Sequence, residues 1–232
     1  NCNSSSQGGI IVKKPNSNTL YYVFTNDCNE NSGVNGVHYS IVDMNLNGGL
    51  GDIAFKNIPL FSPSTERLAL TYHCNQQDIW LMGQLRNSNS FCAYLITENG
   101  ISSTPVISNI GFTHNENICQ CVGQLKFSPN GLKMAAVYAS VPGVEELFDF
   151  DNNTGMVSNY ISLPADTSEY GLSFSPDNTK LYIEASYMAT RIIQYDLSSG
   201  TPSLIIASRT TVFSMPPFTT NGIFGFELAP DG

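Results

Sequence analysis

The chain has 232 residues, of which 41% are hydrophobic and 12% charged, and its formal net charge is −9 at pH 7. Acidic residues outnumber basic ones, and Lys and Arg form no cluster. This charge distribution excludes a basic surface for binding nucleic acid and disfavours binding to an anionic membrane surface. No apolar run approaches the roughly 18–20 residues of a membrane-spanning helix. Asn, Ser, Thr and Gly supply the polarity, which is typical of secreted β proteins rich in turns. We therefore predict an extracellular protein without membrane insertion.

An internal repeat organises the chain. Each copy has a short apolar segment, a turn rich in Pro, Asn, Asp or Gly, and a second β-type segment. The clearest copy runs from Leu172 through the turn Ser175-Pro-Asp-Asn178 to Ala185. The turns of five copies lie at residues 15, 75, 129, 176 and 230, with intervals of 60, 54, 47 and 54 residues. Phe61-Ser-Pro63 imitates the turn, but its spacing predicts an outer strand or linker over Leu60 to Pro63.

Each copy continues into a third and a weaker fourth strand. Ile192 to Asp196 is an example of the third, and Pro202 to Ala207 of the fourth. No apolar stripe of helical period and length is present. Four antiparallel strands repeating about every 50 residues are typical of the blades of a β-propeller.

We therefore predict an all-β protein, a β-propeller of four-stranded antiparallel blades. About four complete blades cover residues 8–62, 63–122, 123–170 and 171–222, and residues 223–232 start a further blade. A β-sandwich with coincidental spacing is the alternative. Propellers close at four to eight blades, so the truncated fifth unit favours a larger ring. The remaining blades would come from the parent chain or from a partner.

Several stretches resemble one known family. They include Ile11 to Thr25, the run Tyr39-Ser-Ile-Val-Asp-Met-Asn-Leu-Asn-Gly-Gly-Leu-Gly-Asp52, Pro63 to Leu68, and Glu145 to Gly155. The family is the N-terminal propeller of exported Bacteroidota surface proteins that carry a gliding-motility-associated or type IX secretion sorting domain at their C-terminus. The resemblance implies an exported protein with a ring of about seven blades, and it supplies no catalytic residue.

Six cysteines suggest an oxidising compartment. The disulfide candidates are Cys2, Cys28, Cys119 and Cys121: Cys2 and Cys28 flank the first two strands of one blade, and Cys119 and Cys121 pair with each other or elsewhere. Cys74 and Cys92 lie on strands 1 and 3 of one blade with a strand between them, so we expect this pair to stay reduced and buried.

In a propeller, the loops from strand 2 to 3 and from strand 4 to the next strand 1 share one face, here called the loop face. It carries Asn26 to Gly33, Thr113 to Cys121, Pro164 to Tyr170 and Arg209 to Thr220. The candidate ligand-binding side chains are polar or aromatic residues of these loops or beside them. They are Asp27, Asn115, Glu116, Glu169, Tyr170 and Tyr187, and the two tyrosines are positioned to stack on sugar rings.

The sequence contains two patterns that imitate metal sites. His114, Glu116, Cys119 and Cys121 could form a zinc cluster, but a disulfide-bearing loop fits the compartment better. Asp149 to Gly155 imitates the start of a calcium loop, but Gly lies one position too late and position 12 is Tyr160, so a hairpin turn is favoured. His38 and His73 lie on predicted strands and are expected to be packed or hydrogen-bonded. We predict no metal and no cofactor.

No nucleophile elbow, phosphate-binding loop or HExxH motif occurs. Glu145 and Glu146 are expected to end in solvent, and the inner strands show no ring of carboxylates. The sequence therefore favours a non-catalytic binding or scaffold module for a protein or glycan partner at the bacterial cell surface. The alternative is a lyase- or lactonase-like propeller enzyme with a metal-assisted site in its central channel, and a third possibility is a structural component of a surface filament or motility machine.

Overall fold

The computed structural model describes residues 4–114, 120–166, 168–185, 190–215 and 225–226. These residues form four antiparallel sheets, each built from strands that follow one another along the chain. The first sheet contains β1 (Gly9–Lys13), β2 (Leu20–Asn26), β3 (Val37–Asp43) and β4 (Asp52–Phe61). The second contains β5 (Ser64–Tyr72), β6 (Ile79–Leu85), β7 (Ser90–Thr97), β8 (Gly100–Ile101) and β9 (Val106–Asn109). Both β8 and β9 pair with β7, so together they take the place of one outer strand.

The third sheet contains β10 (Leu125–Phe127), β11 (Lys133–Tyr138), β12 (Val144–Asp151) and β13 (Met156–Leu163). The fourth contains β14 (Glu169–Phe174), β15 (Lys180–Ala185), β16 (Arg191–Asp196) and β17 (Thr210–Ser214), with helix α1 (Pro202–Ala207) before its last strand. The number of sheets agrees with the four predicted blades, but β14 begins at Glu169, inside the range 123–170 predicted for the third blade. The segment up to Phe61 is an outer strand, as the spacing predicted. The described helix is too short to cross a membrane.

Apolar side chains between successive blades form the core. One cluster joins blades 1 and 2 through residues such as Phe24, Leu68 and Leu81. A second joins blades 2 and 3, and a third joins blades 3 and 4. The central strands β6 and β11 of blades 2 and 3 are therefore covered on both faces, which explains why they are almost continuously apolar.

The fourth strand of blade 4 was predicted wrongly. Pro202 to Ala207 forms helix α1 because Thr201 precedes it as an N-cap, with its hydroxyl accepting a hydrogen bond from Leu204 N at 3.4 Å. Proline at the first helical position is compatible with this start. The outer strand is β17, which lies in a stretch predicted as a loop and pairs with β16.

The predicted turn chemistry is confirmed where the inner strands end. In the turn between β14 and β15, the Asp177 carboxylate accepts hydrogen bonds from Ser175 Oγ at 2.6 Å and Thr179 N at 3.0 Å. Asn178 follows with φ of 64°, a left-handed conformation that Asn tolerates.

Cys74 lies in the equivalent turn of blade 2 and is exposed, because its position falls after the end of β5. Its expected burial is therefore wrong, whereas Cys92 is buried as predicted, and both are thiols.

The predicted hairpin at Asp149 to Gly155 is also confirmed. The Asp149 carboxylate accepts hydrogen bonds from Lys133 Nζ at 2.8 Å and Asn159 Nδ2 at 2.7 Å, so it is tied within the sheet. Gly155 closes the turn with φ of 79°, and a Cβ there would lie 2.7 Å from Cη2 of Trp80. The hairpin of blade 3 is thus packed directly against blade 2.

Replacing Gly155 by Ala should destabilise the fold more than replacing Gly200, which has φ of 85° but nothing within 4 Å of a Cβ. Gly200→Ala meets only the cost of a left-handed backbone, about 1 kcal/mol. Gly155→Ala adds steric overlap with Trp80, for a total of about 2–4 kcal/mol. The free energy of unfolding from urea titration measures both, and equal losses would contradict the Trp80 contact.

Candidate functional site

Glu66 connects three segments at the loop face. It lies near the start of β5 and is 1% exposed. Its Oε2 accepts a hydrogen bond from Ser6 N, and its Oε1 one from Asn29 N, both at 2.7 Å. Its own backbone N donates to Cys121 O at 2.9 Å. The buried carboxylate of Glu66 therefore joins the segment before β1 to the loop after β2, and its backbone N–H adds the segment before β10.

Asp27 and Tyr170 lie near this connection. Burial acts to raise the pKa of Asp27, but hydrogen bonds from Asn31 and Asn35 outweigh it, so that the pKa is lowered and the carboxylate stays charged. The distances are 3.1 Å from Asn31 Nδ2 and 3.0 Å from Asn35 N. Tyr170 hydrogen-bonds to the side chain of Ser6, and its pKa is raised first by burial and then by the charge of Glu66. The structure thus brings Tyr170 close to Glu66 and uses Asp27 to hold the loop after β2.

Glu169 differs from the prediction of a ligand-binding side chain. It is 0% exposed, and its Oε1 accepts a hydrogen bond from Asp166 N at 2.9 Å. A Cβ on Gly143 would come within 1.6 Å of Glu169 Oε2, so the carboxylate occupies space that only glycine leaves open. Glu169 begins a strand that packs against blade 3, and this position removes it from solvent.

The other predicted residues divide into two groups. Asn115, Glu116, Tyr187, Cys2 and Cys119 lie outside the described residues. Cys28 is buried, and its pairing with Cys2 stays a prediction. Cys121 is buried and is not in a disulfide bond, so the expected pairing of Cys119 with Cys121 is not formed.

A buried polar layer lies between blades 3 and 4. Tyr195 OH donates to Glu145 Oε2 at 2.8 Å. Burial raises the pKa of Glu145 to about 8, with the hydrogen bond from Tyr195 opposing this shift and the neighbouring Glu169 adding to it. Arg209 Nη2 contacts Asp166 Oδ2 at 2.5 Å, and Arg191 Nη2 reaches the same oxygen at 3.1 Å. Glu145 was expected in solvent; the next blade covers it instead.

A second buried polar layer lies between blades 2 and 3. The Arg67 guanidinium is fully buried, lies 4.0 Å from the centroid of the Tyr138 ring, and donates to Gln84 Oε1 from Nη2 at 2.9 Å. Tyr138 OH donates to Glu146, whose other oxygen accepts from Phe112 N at 2.5 Å. Burial raises the pKa of Glu146 to about 7 against the effect of these hydrogen bonds. Glu146 is buried as well, whereas the sequence predicted that it would lie in solvent.

His114 belongs to the same layer. Its ring stacks on Tyr138 with centroids 4.5 Å apart. Burial, followed by the charge of Arg67, lowers the pKa of His114 to about 2, so the ring is neutral at pH 7. Glu116 and Cys119, which the sequence offered as further ligands of a zinc cluster with His114, lie outside the described residues. Within the part of the chain that the structure describes, no group of three or more His, Cys, Asp or Glu is placed to hold a metal ion.

Sequence reasoning missed Glu66 and Arg67 because it started the inner strand at Leu68. Strand β5 begins earlier, at Ser64, so that Glu66 and Arg67 belong to the strand and lie at the interface between blades. The signal available in the sequence was the pair of consecutive charged residues Glu66 and Arg67, directly before the apolar strand residues. In the repeat, Arg67 aligns with Gln124, which directly precedes Leu125. Gln124 plays a related part, since its Oε1 accepts a hydrogen bond from Leu172 N of blade 4 at 3.2 Å.

The opposite end of the blades, here called the turn face, carries two adjoining grooves. One has a volume of about 360 Å³ and is lined by the turns after β1, β5 and β7. The other has a volume of about 410 Å³ and is lined by the turns after β1 and β5. Pro15, Asn16 and Gln77 line both. These grooves lie between blades 1 and 2, and none of the predicted ligand-binding residues lines them.

No family model and no curated protein matches the chain. Among solved structures, a proposed 6-phosphogluconolactonase from Bacteroides fragilis is similar, with a TM-score of 0.55 at 11% identity over 89% of this chain and 54% of that chain. A second from Bacteroides uniformis has a TM-score of 0.52 at 12% identity, covering 96% of this chain and 75% of that one. Hydrazine synthase from Kuenenia stuttgartiensis has a TM-score of 0.50 at 12% identity, covering 90% and 49%.

These likenesses concern the fold alone, and the chain spans about half (54%) of the first of these structures. Together with the four antiparallel sheets, they confirm the predicted all-β propeller with four-stranded blades. The number of blades in the complete ring stays a prediction.

The buried carboxyls predict how stability depends on pH. Glu145 and Glu146 have folded-state pKa values of about 8 and about 7, above the ordinary value of 4.5. Their neutral forms favour the folded state, so their full contribution is present below pH 4.5 and is lost as the pH rises through 7 and 8. The free energy of unfolding should fall across this window by at most about 1.4 kcal/mol per pH unit and per carboxyl.

Glu145→Gln keeps an oxygen for Tyr195 and removes the titration. This variant should equal the wild type near pH 5 and exceed it in stability at pH 8, as measured by urea unfolding at each pH. Glu30→Gln is the control, because the pKa of this exposed carboxyl is lowered by the Ser4 hydroxyl and affects only more acidic conditions. Parallel profiles for Glu145→Gln and wild type would disprove the assignment.

Proposed function

We propose that this chain is a binding and scaffold module, an exported β-propeller that holds a protein or glycan partner at a bacterial cell surface. The observation that supports this is the Glu66 connection at the loop face. It orders loops from different blades before any partner arrives, and ordering in advance reduces the entropy lost on binding.

The side chains around Glu66 supply the chemistry of such a surface. The loop after β2 presents a charged Asp27 and amide side chains, held by hydrogen bonds within the loop. Tyr170 adds an aromatic ring with one polar end, a combination that serves binding to both proteins and sugars. The net charge of −9 favours a partner without strong negative charge.

The alternative is a lyase- or lactonase-like enzyme with a metal-assisted site in the channel. Two similar structures are described as proposed lactonases, but at 11% and 12% identity. In this chain, the described carboxylates Glu66, Glu145 and Glu146 are hydrogen-bonded within or between blades and are at most 1% exposed. Their positions support a structural role, so we favour the binding module.

Loosening the loop face should weaken partner binding. Asp27→Asn removes the charge that holds Asn31 and Asn35, and Tyr170→Ala removes the ring. We expect each to raise the apparent dissociation constant of the labelled chain on intact bacterial cells by about tenfold. Flow cytometry over a concentration series measures this, and Tyr170→Phe separates the effect of the ring from that of its hydroxyl.

Leu132→Ala is the control for that experiment, because Leu132 is exposed on the turn face, far from these loops. Saturable binding that depends on Asp27 and Tyr170 supports the proposal. Turnover of a lactone or polysaccharide by the same preparation, without saturable binding, would overturn it in favour of the enzyme.

We further propose that the remaining blades of the parent chain cover two open apolar faces. On blade 1, this face carries Ile11, Tyr21, Val23, Val42 and Ile53, which are paired across β1 to β4. On blade 4, a cavity of about 340 Å³ is lined mainly by apolar residues such as Phe174, Tyr182, Ile192, Val212 and Phe226. Phe226 belongs to the next repeat, so the chain itself already approaches this face.

Without those blades, the exposed faces should drive self-association of the 232-residue chain. Ile11→Lys and Val212→Lys change residues that are 65% and 49% exposed and place a charge on each face. We expect the double variant to be monomeric at concentrations where the wild type associates, as measured by light scattering during gel filtration. Leu132→Lys controls for added charge, and equal association of all three proteins would contradict the proposal.

A further inference from the structure

The two grooves of the turn face form one surface between blades 1 and 2. Their volumes of about 360 and 410 Å³ lie within the range of roughly 300–1,000 Å³ that is usual for small-molecule sites. The two cavities adjoin, because Pro15, Asn16 and Gln77 line both of them. Three separate turns contribute to the lining, so the groove exists only because the two blades pack together.

The lining offers both donors and acceptors. Asn16, Gln77 and Asn99 are amides, and each can donate and accept at once. Asp78 and Glu98 add acceptors, and Lys13 and Lys14 add donors at the other end. The positive charges of the two lysines and the negative charges of the two carboxylates cancel, so the groove is formally neutral, whereas the chain as a whole has a net charge of −9. A neutral ligand rich in hydroxyl groups fits this mixture better than an ion does.

The acidic residues are held by amides of the protein itself. Asn16 Nδ2 donates to Glu98 Oε2 at 2.7 Å, and Asn75 Nδ2 donates to Asp78 Oδ2 at 2.8 Å. Both contacts orient the carboxylates, and the contact between Asn16 and Glu98 also joins the turn after β1 to the turn after β7. Two carboxylates that are each already engaged by an amide form a poor cage for a divalent cation, which takes six or more oxygen ligands.

An aromatic ring completes the groove. Tyr72, the last residue of β5, is 57% exposed and lines the larger cavity beside Gln76 and Gln77. An exposed tyrosine flanked by amides combines an apolar face with polar groups around it. The C–H faces of a sugar ring and its equatorial hydroxyls are complementary to this combination.

We propose that this groove is a saccharide-binding site for a neutral oligosaccharide, with Tyr72 as the stacking platform and Asn16, Gln77 and Asp78 as hydrogen-bonding partners. The site lies on the face opposite the loops that carry the proposed partner surface. It therefore stands independently of that proposal, and one propeller would bind two partners at its two ends.

The test uses the 232-residue chain and an array of neutral and acidic oligosaccharides, followed by calorimetric titration with the strongest binder. Tyr72→Ala, Asn16→Ala and Gln77→Ala should each weaken binding by about tenfold, whereas Tyr72→Phe should retain it. Leu132→Ala, an exposed apolar change in another turn of the same face, should have no effect. Unchanged thermal melting of each variant shows that the fold is kept.

Three outcomes overturn the inference. One is the absence of saccharide binding at millimolar concentration, and another is binding that Tyr72→Ala leaves unchanged. A third is a preference for acidic over neutral sugars that Lys13→Ala and Lys14→Ala abolish while Tyr72→Ala does not, because the lysines rather than the ring would then define the site. Titration with Ca²⁺ alone is included, and a saturable heat that Asp78→Asn removes would assign the groove to a cation instead.

Discussion

Each sheet of this protein is apolar on both faces, and it is stable only between two neighbours. The three core clusters lie between successive blades, and within the described residues no core cluster joins blade 4 to blade 1. Strands β6 and β11 are buried from both sides, so their hydrophobic runs are explained by this packing and not by a single core face. The open faces of blades 1 and 4 follow from the same constraint.

Packing blades against each other also buries ionisable groups. Arg67 is stabilised by the Tyr138 ring of the next blade, by the side-chain oxygen of Gln84 in its own blade and by the carbonyl oxygen of Gln120. For Glu145 and Glu146, burial outweighs the charges of Arg209 and Arg67 and shifts their pKa values into the neutral range. Such groups are costly to bury unless they are hydrogen-bonded, and here tyrosine hydroxyls supply the bonds. These layers define how the blades meet.

The two ends of the propeller have different chemistry for a topological reason. At the loop face, Glu66 orders the segments before β1 and β10 and the loop after β2 through hydrogen bonds. At the turn face, the turns after the inner strands contain Asn, Asp and Gln residues that suit the local backbone and remain near solvent. The groove beside Tyr72 uses these same turn residues for its lining. Turn chemistry thus supplies hydrogen-bonding groups at a blade interface without a separate motif.

The repeat by itself determined the fold class and the turns, because strand period and turn residues are local properties. Asp177 and Asn178 in their turn, and Gly155 in its hairpin, could be predicted for that reason. The helix at Pro202 was missed although Thr201 and Pro202 signal a helix start, because the repeat predicted a strand there.

Only the tertiary structure decided which polar residues are buried. Glu145, Glu146 and Glu169 look like surface residues in the sequence, and they lose solvent only when the neighbouring blade packs over them. The groove at Tyr72 likewise depends on turns that are up to 82 residues apart, as Asn16 and Glu98 show, and no local pattern records such a contact.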